Sequence, residues 1–428
     1  FGIDKEKRDY DNWNLGTRLT YTPAVGHSYY LDADLAATVR PIFFITVPME
    51  STIRNRVKND FFTYDTKYDV QLGDAHHLVM GARLQRESVD YHLRRKLTAH
   101  TALPPILDRA RKASSDDRGS LSRTSWALFG EDTWTIAPKL DMAYGLRWNH
   151  AGDYADNVSP RAYLVYTPDK YFVIKGGVAT GYKAPTMLQS APVDIHLNIT
   201  GEIYRGNTGL KPEKSTTEEL GLYYHNEHAT DAHVTFFHTD FKNKIDLGDA
   251  VNTPGIGAVR TYENVGRARI HGIELGTTFA VLPKVRAGLN WTLLTSQIKS
   301  GKNVGQPLRS TPKQAVNLRL DWMPADATDV WLSAQYRSGM YRSKQAAGLA
   351  STYHPFTILN MGVTHKLHDG LSVQFAVNNL LNRNFDRAVT AADGTRYSAY
   401  YDDLDADGIA GGSYMSRRSY WLGLTYDF

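Results

Sequence analysis

This 428-residue sequence predicts an all-β fold, an antiparallel transmembrane β-barrel. Three observations carry the prediction. Apolar and polar residues alternate strictly over long runs, the connections alternate between short and long, and the last strand ends on an aromatic residue. Composition removes the main competitors. Lys plus Arg is 49 against 45 Asp plus Glu, a formal charge of only +4, so a polyanion held by bulk charge, nucleic acid included, is not an expected partner. Cysteine is absent, which excludes disulfides, thiol nucleophiles and Cys-ligated zinc. Apolar residues make up 42% of the chain and mean hydropathy is −0.42. No run approaches the roughly 18 apolar residues of a membrane helix. A barrel strand escapes that test, because only one of its sides is apolar.

The alternation has a period of two. Leu140, Met142, Tyr144, Leu146 and Trp148 alternate with Asp141, Ala143, Gly145, Arg147 and Asn149. The same pattern recurs at 285–293, 316–322 and 371–377, with Trp and Tyr near strand ends as in an interfacial girdle. About 17 strands are readable in order. They are 14–22, 27–38, 58–71, 77–91, 123–136, 140–150, 159–167, 171–182, 216–224, 231–244, 260–280, 285–298, 314–322, 329–341, 356–365, 371–379 and 418–428. No amphipathic helix is expected. Short turns such as Ala137-Pro138-Lys139 and Pro168-Asp169-Lys170 alternate with longer polar segments at 92–122, 183–215, 245–259, 299–313, 342–355 and 379–417. Short turns on one side and long loops on the other fit an outer-membrane barrel, with periplasmic turns and extracellular loops. An odd number of strands cannot close an antiparallel barrel whose two ends lie on the same side. Strands are therefore expected to be missing before Phe1, where no signal peptide is legible, and at Arg40-Pro41, where turn logic fails. The final face of Tyr420, Leu422, Leu424, Tyr426 and Phe428 resembles the signal read by the bacterial outer-membrane insertion machinery.

Five blocks in order give a more specific resemblance. They are Ser159-Pro160-Arg161 with Gly181-Tyr182-Lys183-Ala184-Pro185; 206–215 (GNTGLKPEKS) with Glu219-Leu220-Gly221; 264–275 (NVGRARIHGIEL); 377–382 (VNNLLN); and Arg418-Ser419-Tyr420-Trp421 through Phe428. Together they resemble TonB-dependent outer-membrane receptors, nearest to the ferric-siderophore branch of the enterobactin and colicin-I receptor type. The resemblance covers roughly 120–428, and residues 1–120 match only as generic strands. It implies a barrel of about 22 strands around an N-terminal plug, with residues 1–428 as the barrel domain and the plug and first strands outside this sequence. It implies uptake of a ferric siderophore driven by the TonB-ExbB-ExbD complex, with no covalent cofactor and no enzymatic step. The other expected contacts are outer-membrane lipid and lipopolysaccharide, with bacteriocins or phages as parasites of the long loops. A monomer is expected.

The blocks themselves read as turn chemistry. Pro185 has no N–H for a ladder and biases Ala184 away from helix, so a strand should stop there. Gly206-Asn207 and Gly209 are turn residues, and Lys211-Pro212 re-enters the wall. Residues 264–274 read as one long strand, with Gly266 and Gly272 where an interior object packs closely. A ferric catecholate is a bulky aromatic anion, so it needs cations and aromatic faces at the outer mouth. The first long loop and its entry offer Tyr182, Lys183, Met187, Gln189, His196, Tyr204 and Arg205; the 92–122 segment offers Arg94 and Arg95; the 338–355 segment offers Tyr341 and Arg342. The competing reading is a set of solvated or lipopolysaccharide-facing cations. Haem is the alternative cargo, with His196 as an axial ligand; cobalamin or another metal chelate is a further one. Asp403, Asp405 and Asp407 with Gly408 suit Ca²⁺. The twelfth position of an EF-hand register would be Tyr414 rather than Glu, and no helices flank the run, so an acidic exterior turn competes. No P-loop, GxSxG, HExxH or catalytic pair of acids is present in the sequence.

Overall fold

The alternating segments fold as long strands. The computed structural model describes residues 11–21, 27–40, 51–97, 115–196, 203–227, 230–248, 251–253, 257–301, 303–309, 311–342, 347–385, 387–392, 394, 396–400 and 417–426. The chain divides into two compact units, one of Phe1–Leu164, Val178–Thr216 and Phe241–Arg267, the other of Val165–Gly177, Thr217–Asp240 and Ala268–Phe428.

In the first unit an antiparallel ladder runs through consecutive strands. They are β1 (Asp11–Tyr21), β2 (His27–Arg40), β3 (Ser51–Leu72), β4 (His76–Leu97), β5 (Ser115–Ala137) and β6 (Leu140–Ala151); β7 (Tyr154–Tyr166) and β8 (Phe172–Lys183) follow in the chain, each divided between the two units. A small separate sheet belongs to the same unit and comprises β9 (Asp194–His196), β10 (Ile203–Arg205), β13 (Ile245–Leu247), β14 (Val251–Thr253) and β15 (Gly257–Asn264). Strands β11 (Glu213–His225) and β12 (Asp231–Lys242) lead into the second unit. There β16 (Ala268–Leu282), β17 (Val285–Ile298), β18 (Gln314–Ala325), β19 (Thr328–Arg337), β20 (Phe356–His368) and β21 (Leu371–Asn378) pair each with the next. A short hairpin follows, β22 (Ala388–Thr390) with β23 (Arg396–Ser398), and β24 (Ser419–Tyr426) returns to pair with β21.

Burial along these strands is the reverse of that in a water-soluble sheet. On β6 the apolar residues are the exposed ones: Leu146 is 59% and Trp148 43% exposed, while Gly145 and Arg147 between them are half-buried. On β24 Leu422 and Leu424 are 73% and 70% exposed. Leu318, Leu320 and Trp322 repeat the pattern on β18. An apolar surface of this extent is stable only against lipid, because water would leave it as one continuous hydrophobic patch.

Every expected strand is found; six short strands, β9, β10, β13, β14, β22 and β23, lie in segments expected as loops, and three further differences stand out. The expected 260–280 strand is two strands, broken at Val265–Arg267 where Gly266 takes φ 95°. A Cβ at Gly272 would meet the Leu293 carbonyl oxygen at 2.3 Å, so the adjacent strand β17 is a close neighbour there. The expected 92–122 loop is largely ladder, since β4 runs on to Leu97 and β5 begins at Ser115. Strands β6 and β7 are joined by two residues, Gly152 and Asp153, instead of the longer 151–158 connection implied by the expected strand ends. The last two share a cause. Above the lipid both strand faces meet water, so apolar alternation ends while backbone pairing continues. Residues 41–50, which follow Arg40, lie outside the described residues.

Candidate functional site

The two longest described loops of the first unit join into a single construction. Strand β8 ends at Lys183 and Pro185 is buried, as the missing N–H requires. Thr186 then caps a single helical turn, α1 (Met187–Ser190). The Thr186 hydroxyl accepts from the Gln189 amide at 3.3 Å, and the Gln189 side-chain oxygen accepts from the Thr186 amide at 2.9 Å, a reciprocal capping box. Met187 points into the loop core with Ala191, Val193, Ile203, Leu210 and Val259, all buried. Strand β10 pairs antiparallel with β9 and parallel with β15, so Tyr204 lies opposite both Ile195 and Arg260. A parallel pairing needs a long crossover, here the chain from β11 through β14.

Two asparagines fasten this sheet to its connections. Asn207 accepts the Gly209 amide at 2.8 Å and donates to the Tyr262 carbonyl at 2.9 Å. Asn264 accepts the Lys211 amide at 2.8 Å and donates to the carbonyls of Lys211 at 2.9 Å and Asn243 at 2.7 Å. Gly206 is required by contact: a Cβ there would sit 1.9 Å from the Ala191 carbonyl oxygen. Glu213 accepts the Ile245 amide at 2.8 Å and pairs with Lys183 at 3.2 Å. The 206–213 block is therefore a fastener of the loop sheet, as its turn chemistry led us to expect; 264–266, expected as part of one strand, fastens it as well.

The sheet carries charge and aromatic surface. Arg205 binds Asp194 through two parallel hydrogen bonds, Nε to Oδ1 at 2.7 Å and Nη2 to Oδ2 at 2.8 Å, with both side chains about one-third exposed. Hydrogen bonding to Asp194 is the largest influence on Arg205 and holds its guanidinium above the ordinary arginine range. Tyr204, its neighbour on β10, is half-buried and alternates to the opposite side of the strand. Burial, and then the charge of Asp246, raises the Tyr262 hydroxyl above the ordinary tyrosine range, so Tyr262 stays neutral. Arg123 on β5 donates to the Pro185 carbonyl at 2.8 Å and to Glu87 at 3.3 Å, which ties the loop root to the wall.

In the second unit, Tyr341 bridges to Arg309 and to Thr352. Arg342 is one of its most buried side chains, with the guanidinium 4.1 Å over the Tyr353 ring and Nε 3.3 Å from the Ala350 carbonyl. Nearby, Phe356, Phe385 and Tyr400 meet edge-on around Ala399, closed by Asn379, which clasps both the amide and the carbonyl of Arg383.

The expected site residues thus fall into distinct groups. Tyr182 and Lys183 end β8, where Lys183 pairs with Glu213, and Tyr204 and Arg205 lie on β10 of the loop sheet. Met187 and Gln189 belong to the same loop, but Met187 is buried and the Gln189 side-chain oxygen is committed to the cap, so both serve the loop's interior here. His196 closes β9 opposite Ile203. Arg94 and Arg95 are strand residues of β4, opposite Arg54 and Ile53, and not loop residues as expected; the ladder continues above the apolar band. Arg342 is buried rather than displayed, because its charge is compensated by the Tyr353 ring and the Ala350 carbonyl. Asp403, Asp405 and Asp407 lie outside the described residues. Sequence reading missed Arg123, a mid-strand cation with no local motif, and the partnership of Asp194 with Arg205. Their spacing of eleven residues has no helical or strand period to flag it.

Comparison with known proteins agrees with this architecture. The family model described as TonB dependent receptor-like, beta-barrel matches residues 1–380. The iron-regulated outer membrane virulence protein of Vibrio cholerae serotype O1 is 33% identical over 319 residues, covering 73% of this chain and 46% of that protein. The ferric enterobactin receptor of Pseudomonas aeruginosa is 32% identical over 316 residues, covering 68% of this chain and 41% of the receptor. The chain spans about half the length of these curated relatives. Among solved structures, a ferric enterobactin receptor mutant from Pseudomonas aeruginosa superposes with TM-score 0.68 at 20% identity, covering 100% of this chain and 71% of that one. The ferric-catecholate import receptor Fiu of Escherichia coli K12 gives 0.71 at 16% identity, covering 100% and 65%. At these identities the structural likeness establishes the fold.

Proposed function

Because the chain belongs to the TonB dependent receptor-like β-barrel family, we propose that it forms the wall and exterior loops of an outer-membrane receptor that takes up a ferric siderophore of the catecholate type. The observation that carries this reading is the loop sheet. It holds Arg205, paired with Asp194, on a scaffold fastened at Gly206, Asn207 and Asn264, and a fixed cation suits a bulky aromatic anion. The 32% identical relative named as a ferric enterobactin receptor supports the cargo class. Transport needs no covalent step: the loops and a plug select the chelate, and TonB-ExbB-ExbD supplies the energy that moves the plug. The acidic 403–408 run enters this reading as an exterior turn.

The test is binding and uptake of radioactive iron chelates by cells producing the full-length receptor. Arg205→Ala should weaken ferric-catecholate binding by about tenfold, the scale of one charge-assisted contact, with normal surface levels and folding. Unchanged uptake at normal surface levels removes Arg205 from the site. Haem binding that disappears in His196→Ala, with no catecholate binding in the parent protein, would replace the cargo altogether.

A further inference from the structure

A groove of about 560 Å³ crosses the outer surface of the first unit near its short-turn end. Leu72, Leu78 and Leu146 wall it and Gly130 forms part of its floor. At one end sits Asp132, a carboxylate on the lipid-facing side of β5: it shares strand parity with Leu128, Trp134 and Ile136, all of them exposed. His76 Nδ1 lies 2.7 Å from Asp132 Oδ2, and the Tyr144 hydroxyl donates to the same oxygen at 2.9 Å. Trp134 stacks on His76 with ring centroids 5.8 Å apart. The second oxygen, Oδ1, is buried and has no hydrogen-bond partner among the described residues. A carboxylate held away from water with one oxygen unpaired is costly unless a cation reaches it. Asp132 is itself one of the residues lining the groove.

We propose that this groove binds one phospholipid of the periplasmic leaflet whose headgroup carries a primary ammonium. The proposal rests on the membrane-barrel reading above. Trp134 and Tyr144 mark headgroup depth, and short turns mark the periplasmic side. The ammonium donates N–H to Asp132 Oδ1, and an acyl chain lies along the three leucines. A headgroup without a cation leaves the carboxylate unpaired, and a quaternary ammonium supplies charge without a donor.

Native mass spectrometry of the delipidated full chain in micelles tests this, using phosphatidylethanolamine, phosphatidylglycerol and phosphatidylcholine with identical acyl chains. The parent protein should retain phosphatidylethanolamine about tenfold better than the other two. Asp132→Asn should abolish that preference. Gly130→Leu should weaken retention of all three by filling the floor; a Cβ there meets only Met80, at an ordinary 3.9 Å, so folding survives. Equal retention of the three lipids by the parent, or a preference unchanged in Asp132→Asn, overturns the proposal. Heat-dependent gel mobility, measured in parallel, separates the two failures. Its loss refutes the barrel reading, whereas its presence without lipid preference refutes only the lipid site.

Discussion

Asn207 and Asn264 face each other's segments across the loop sheet, and each converts a turn into a fastener. Asn207 alone satisfies a donor at Gly209 and an acceptor at Tyr262. Asn207→Ala leaves both unpaired at a cost of about 1–3 kcal/mol each if they stay buried. Asn207→Asp keeps the acceptor and loses the donor, so it should fall between the two. Hydrogen exchange at the Gly209 and Leu210 amides should order the proteins as parent, Asp, Ala from slowest to fastest. Gly206→Ala acts by a clash instead, because the Ala191 carbonyl is backbone and cannot swing aside. Overpacking of this kind costs about 1–3 kcal/mol, and limited proteolysis between β8 and β11 should accelerate while the wall strands stay protected. The sequence marks these residues as turn formers through Gly and Asn. It does not reveal their partners, which lie 55 and 53 residues away.

At the scale of strands, the decisive contrast is between the two faces of one ladder. Phe375 on β21 lies opposite Leu422 on β24, and Gln374 opposite Gly423. Phe375 and Leu422 are both exposed on the apolar side, whereas Gln374 is half-buried on the other. Leu422→Arg should cost about 2–4 kcal/mol if it sits at the bilayer midplane, read from denaturant unfolding in lipid vesicles. Gln374→Arg should cost far less, because its side of the wall is polar. Equal penalties would contradict the sidedness. Alternation made the lipid-covered parts of these strands readable. It failed at 92–97 and 115–122, where β4 and β5 continue as a ladder with polar residues on both faces. Backbone hydrogen bonding needs no side-chain pattern, so the sequence understated the strands at their exterior ends.

For the molecule as a whole, the exposed apolar surface predicts that the protein requires detergent or lipid to remain dispersed. It should also migrate faster on a gel unheated than after boiling, because a hydrogen-bonded wall of strands resists the denaturant until heated. A chain that stays monomeric in plain buffer, with one mobility under both conditions, would overturn the membrane reading and the cargo reading with it. The sequence by itself determined the class of fold, the order and spacing of the strands and the family. Those follow from local quantities: side-chain parity, turn residues and contiguous motifs. Only the tertiary structure decided that two separate loops share one sheet, that Arg205 is held by Asp194, that Arg342 is buried against Tyr353, and that Asp132 meets His76 and Tyr144 with its other oxygen buried and unpaired. Each of these depends on which segments meet in space, and no local pattern encodes the meeting of segments joined by long loops.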